Sequence, residues 1–170
     1  MRSSFSPGGS RLRSVLVFSL ALVACGVLQS SLVAPGGRGP DLLLLTALVA
    51  GWMRGTEAGA AVGLGAGLLM GTLQGGALGG CAISRLAAGY AVGRLREEMY
   101  GERPGMMALA CFAGTGLAAG VLVLWSPPRG AVEWMVLPLQ AALNAALSVP
   151  LHYLLKAASG WRGDADRPVP

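Results

Sequence analysis

Residues 58–93 contain one charged side chain, Arg85, in 36 positions. A single helix of that length would run roughly 54 Å, far beyond the roughly 30 Å hydrocarbon core of a bilayer. Near the middle, Gln74-Gly75-Gly76-Ala77 reads as a turn. The segment is therefore expected to fold as a helical hairpin, with arms at about 57–73 and 78–95. Few architectures accommodate so long an uncharged stretch, and a membrane-embedded bundle is the simplest.

Other runs point the same way. Ser14 to Gly37, Pro104 to Pro128 and Trp134 to Leu155 are free of Asp, Glu, Lys and Arg, and each is long enough to span. Leu42 to Met53 is shorter but strongly apolar, and it follows Pro40-Asp41, a helix start in which the carboxylate caps free amides and complements the dipole. Charged residues make up 12% of the chain, about half the usual share in soluble domains. The expected fold is an all-α polytopic membrane protein, a bundle of six transmembrane helices at about 14–33, 40–54, 57–73, 78–95, 105–125 and 132–155. Residues 1–13 and 157–170 are read as disordered cytoplasmic tails flanking a membrane domain at 14–156.

The basic residues test that count. With both termini in the cytoplasm, inner segments carry Arg2, Arg11, Arg13, Arg54, Arg94, Arg96, Arg103, Lys156, Arg162 and Arg167, while outer loops carry only Arg38 and Arg129. Dropping 40–54 as a crossing spoils the asymmetry, so the positive-inside rule favours six. Trp52, Trp125 and Trp134 fall at the expected interfaces, where an amphipathic ring is favoured. The net charge of +5 is thus explained by loop topology. The basic stripes with interleaved aromatics of a nucleic-acid binder are missing. At the N-terminus, Leu22-Val23-Ala24-Cys25-Gly26 imitates a lipoprotein cleavage box, but the apolar run continues past it, and an uncleaved first helix is expected.

The residues that could carry chemistry are few. Cys25, Cys81 and Cys111 lie in apolar runs at spacings that match no metal site, and read as buried thiols. No nucleophile, base or metal cluster stands out, so neither an enzyme nor a cofactor is expected. His152 shares a helical stripe with Gln140, Asn144 and Ser148. That stripe is either a polar path or a set of interhelical hydrogen bonds. Glu57, Glu97, Glu98, Glu102 and Glu133 fall at interfaces, which leaves no intramembrane carboxylate for a proton relay. Arg85 is a functional-site candidate by its depth; the alternative is an arginine satisfied by Gln140, Asn144 or backbone carbonyls.

Glycine recurs every fourth residue from Gly51 to Gly79. Each step of four advances about 400°, so the series drifts around the helix, and the two turns interrupt it. Gly59, Gly63, Gly67 and Gly71 survive as one face. Small residues at that spacing let helix backbones approach closely, making this face a surface for a partner or for the sixth helix. Gly116 and Gly120, with Ala113, form a second such face. Gly63-Leu64-Gly65-Ala66-Gly67 has a superficial nucleotide-loop look, but it lacks the strand, the Lys-Ser/Thr and the acidic ribose partner.

Several of these stretches, in this order and spacing, resemble a known family. They are Leu28-Gln29-Ser30-Ser31, then Pro40-Asp41-Leu42-Leu43-Leu44-Leu45, Gly63 to Gly79, and Gly89-Tyr90-Ala91-Val92-Gly93-Arg94-Leu95. Over roughly residues 14–125 the chain resembles the bacterial rod shape-determining MreD family. One departure is that the family commonly has an aspartate near the position of Gly71. The resemblance implies a non-enzymatic part of the lateral wall-elongation machinery in the bacterial inner membrane. It implies binding to MreC and, through it, influence on a class B transpeptidase, RodA and MreB. It also implies a fold similar to the substrate-binding subunits of energy-coupling-factor transporters. A subunit of such a vitamin transporter is the alternative function.

Overall fold

The structure, a computed structural model, describes residues 7–32, 39–75, 78–99, 104–125, 127 and 130–160. These form six helices: α1 (Pro7–Leu32), α2 (Leu42–Arg54), α3 (Thr56–Gln74), α4 (Leu78–Glu98), α5 (Pro104–Trp125) and α6 (Ala131–Ser159). Four segments are long and apolar enough to cross a membrane: Leu12–Ser31, Thr56–Gln74, Pro104–Trp125 and Trp134–Ser159. Of the six expected crossings, α2 and α4 do not meet that measure. α2 is too short, and α4 carries Arg85, Arg94, Arg96, Glu97 and Glu98.

The expected hairpin is present. α3 ends where Gly75 takes a left-handed conformation (φ 64°), which any Cβ would strain. Residues 76–77 of the expected turn lie outside the described residues. Other boundaries differ from expectation. α1 reaches back to Pro7, so residues 7–13 are helical rather than part of a tail, and α6 continues to Ser159, where Gly160 (φ 66°) stops it. α6 also runs through Pro138 and Pro150 without a break.

α2 is the hub. It touches every other helix, and all its residues from Leu43 to Met53 are buried. Three apolar clusters radiate from it. Leu44, Leu48 and Trp52 pack with Ala88, Val92, Met107 and Cys111 of α4 and α5. Leu45, Val49 and Met53 meet Phe18 and Leu155 of α1 and α6. Leu43 and Ala47 meet Cys25 and Ala66 of α1 and α3. Burial by protein on all sides lets a 13-residue helix, roughly 20 Å long, persist inside the bundle. The outer helices turn Leu16, Leu20, Leu109, Leu117 and Leu154 outward, as a lipid-facing surface requires.

Glycines fix how closely α2, α3 and α4 approach. Gly51, Gly59 and Gly89 meet at one point. A Cβ at Gly59 would lie 2.3 Å from the Gly89 carbonyl oxygen and 2.7 Å from the Gly51 Cα. Farther along, a Cβ at Gly63 would lie 2.4 Å from the Arg85 carbonyl oxygen, and one at Gly67 would lie 2.4 Å from the Ala82 Cα. The face of Gly59, Gly63, Gly67 and Gly71 is thus buried against α4. This corrects the expectation of a surface for a partner or for the sixth helix: the hairpin's own second arm takes it.

Candidate functional site

A helix leaves its first backbone amides without intrahelical partners. At the start of α2, side chains from α1 and α6 and from Asp41 itself accept from three such backbone amides. The Asp41 N–H donates to Asn144 Oδ1 of α6 at 3.1 Å. The Leu42 N–H donates to Gln29 Oε1 of α1 at 2.7 Å. The Leu44 N–H donates to Asp41 Oδ1 at 2.9 Å, the N-cap that Pro40-Asp41 leads one to expect. Asn144 is itself held, its Nδ2 donating to Thr115 Oγ1 of α5 at 3.3 Å, while Thr115 donates to the Cys111 carbonyl.

The second oxygen of Asp41 accepts from Arg85 Nη2 of α4, forming an ion pair in which the two residues are 4% and 5% exposed. Residues from α1, α2, α4, α5 and α6 therefore converge on one point. Arg85 Nε is buried without a hydrogen-bond partner.

Two expectations are corrected here. Arg85 is neutralised by Asp41, not by Gln140, Asn144 or backbone carbonyls. A buried carboxylate does exist, where none was expected for a proton relay: Asp41, read from sequence only as a helix start, is 4% exposed and paired with Arg85. A usable signal was present, because a buried cation demands an anion, and Asp41 is the acidic residue set beside the Leu42–Leu45 run.

The α6 stripe divides. Asn144 joins the capping cluster. Ser148 donates to the Ala145 carbonyl at 2.7 Å. His152 is buried with its ring edge-on to Tyr153, and stands two turns from Asn144, roughly 12 Å along the axis. Gln140 is half-buried and lines a cavity. Of the two small-residue faces, that of Gly116 and Gly120 is open, since a Cβ at either would meet nothing within 4 Å.

That cavity, about 480 Å³, lies over the start of α2, with Asp41, Leu44 and Arg85 among its lining. Gln29 and Ser30 of α1, Met70, Leu73 and Gln74 of α3, Ala118, Ala119 and Leu122 of α5, and Leu137 of α6 complete most of its wall. It lies beyond the first turn of α2, which is shorter than the helices around it.

At the opposite end, basic residues gather. Arg13 Nη2 donates to the Ala158 carbonyl at 3.0 Å, and Arg54 donates to Ser14. Arg96 lies 5.4 Å from the Trp52 ring centroid and donates to the Met99 carbonyl at 2.8 Å. Trp52 is therefore buried in the core, contrary to its expected place facing an interface, whereas Trp125 and Trp134 are exposed. Glu97 of α4 caps the start of α3, accepting from the Thr56 N–H at 3.1 Å and the Thr56 hydroxyl at 3.0 Å. The Thr56 amide is the main reason that its carboxyl sits below the usual carboxylate range; partial burial opposes this, and the Thr56 hydroxyl and Arg94 assist. Arg38 and Arg129, expected in outer loops, and the Glu133 side chain, expected at an interface, lie outside the described residues.

Among the described residues, no three His, Cys, Asp or Glu side chains gather as a metal site. The three cysteines are free and buried. No protein-family model, curated protein or solved structure matches the chain.

Proposed function

We propose that the chain is a non-enzymatic membrane scaffold of the MreD type in the bacterial inner membrane. In this reading it binds MreC and, through it, acts on a class B transpeptidase, RodA and MreB to govern wall elongation and rod shape. The motif order over residues 14–125 supports the family. The observation that carries the docking mechanism is the open face of α5. Gly116 and Gly120 stand one turn apart with no protein over them, while the similar series on α3 is spent inside the bundle. Small-xxx-small faces hold a second helix by close backbone approach and dispersion contacts.

All six helices cross in this reading. α2 and α4, unsuited to lipid alone, cross inside the ring of longer helices. Of the basic side chains described, Arg13, Arg54, Arg94, Arg96 and Lys156 lie at one end of the bundle, with Arg85 alone set apart. That distribution supports cytoplasmic termini.

Co-purification with MreC tests the docking surface. Gly116→Leu combined with Gly120→Leu should abolish capture of MreC while the variant still accumulates in the membrane. Undiminished capture would remove this face as the docking site.

A further inference from the structure

The cavity over α2 has a distinct hydrogen-bonding character. Among the described lining residues the charged ones, Arg85 and Asp41, are already paired with each other. Its hydroxyls are committed as donors: Ser30 to the Val27 carbonyl at 2.8 Å, Ser84 to the Cys81 carbonyl at 3.1 Å and Thr115 to the Cys111 carbonyl at 2.8 Å. Three carboxamides, from three different helices, reach it. The Gln29 oxygen is taken by the Leu42 N–H, and the Gln74 oxygen accepts from the Cys81 thiol at 3.8 Å. Their NH₂ groups remain as donors, and so does that of Gln140, whose side chain makes no hydrogen bond among the described residues. Among the described residues no aromatic side chain lines the space to stack a flat ring.

We propose that this cavity binds an uncharged polar group rich in oxygen acceptors, of the polyol or amide class. A net anion would lie against Asp41, and a net cation against Arg85. An acceptor-rich neutral group would engage the carboxamide donors while methylene groups rest on Leu73, Leu122 and Leu137. The volume falls in the range of small-molecule sites, about 300–1,000 Å³, and the mixture of apolar wall and few convergent polar groups is their usual make-up. Such a group can arrive on a membrane amphiphile or free in water; the chemistry recognised is the same. The proposal does not rest on the scaffold reading, and its test needs no partner protein.

The test is thermal unfolding of the full chain in phospholipid nanodiscs with three probes, the two that carry a chain kept below their micellar concentrations. Octanoyl-N-methylglucamide carries an amide–polyol headgroup on a chain, N-acetyl-N-methylglucamine carries the headgroup without the chain, and octyl phosphate is the anionic control. At a tenfold excess over half-saturation, the glucamide should raise Tm by about 3–5 °C. The rise should fall below about 1 °C in Gln140→Leu, which removes donors that no other residue uses, and in Ala119→Leu, which fills the space. Whichever of these two variants folds supplies the comparison. Stabilisation by the chainless probe as well assigns the site to a water-borne molecule; stabilisation only by the chain-bearing probe assigns it to an amphiphile. The proposal is overturned by no rise in the wild type, by equal rises in wild type and variants, or by a larger rise with octyl phosphate.

Discussion

Arg85 of α4 and Asp41 at the start of α2 form a buried ion pair between positions 44 residues apart. The pair sits where helix-start amides must also be satisfied, so one carboxylate both caps α2 and neutralises α4. This double duty makes the pair more sensitive to substitution than a surface salt bridge.

Removing either charge alone leaves the other buried and unpaired, which costs about 3–5 kcal/mol. Arg85→Met and Asp41→Asn should each lose that much, Asp41→Asn keeping an oxygen for the Leu44 amide. The double variant should recover most of the loss. A double-mutant cycle by denaturant unfolding in detergent checks this, and additive losses would mean that the pair is not coupled.

Gln29 and Asn144 complete amides that no other group reaches. Gln29→Ala and Asn144→Ala should each destabilise by about 1–3 kcal/mol, the cost of a buried donor left without an acceptor. Gln140→Ala, one turn from Asn144 on the same helix, should cost far less. Comparing the three melting curves distinguishes a capping role from general polarity of the α6 stripe.

The two glycine faces should respond in opposite ways. Gly59→Ala places a methyl 2.3 Å from the Gly89 carbonyl oxygen and should destabilise by at least about 1–3 kcal/mol through forced separation of α3 and α4. Gly116→Ala meets nothing, and should be neutral or stabilise by up to about 1 kcal/mol through helix propensity. Yield and Tm of the folded protein measure both effects.

Glu97 links stability to pH. Its carboxyl titrates below the ordinary value of 4.5 in the folded chain, so folding favours the ionised form. The resulting stabilisation is complete above the unfolded pKa and is lost as pH falls through the folded one. Tm should therefore drop more steeply on acidification below pH 5 in the wild type than in Glu97→Gln. Parallel curves would show that the Thr56 contacts do not form in solution.

Long uncharged runs and turn residues made most of the fold legible. The α3–α4 hairpin follows from the length of the segment and from Gly75, and the start of α2 follows from Pro40-Asp41. The partner of each glycine face did not follow, because spacing shows that a backbone can be approached but not by which helix. The Asp41–Arg85 pair was hidden for a related reason. Local reading explained Asp41 fully as a cap, and the second demand on it arises only once α4 is packed against α2. Gln29, a motif residue without an evident role in sequence, becomes intelligible when its oxygen is seen on the Leu42 amide.

The enclosure of α2 also orders its assembly. Synthesis from the N-terminus delivers α2 second, before α4, α5 and α6 exist. Gln29 is already made and can cap Leu42 at once. Arg85 comes later, and Asn144, which holds the Asp41 amide, arrives only with the final helix. The centre of the bundle is thus among its first parts to be synthesised and the last to be completed, and a chain truncated before α6 keeps a hub with one amide still open.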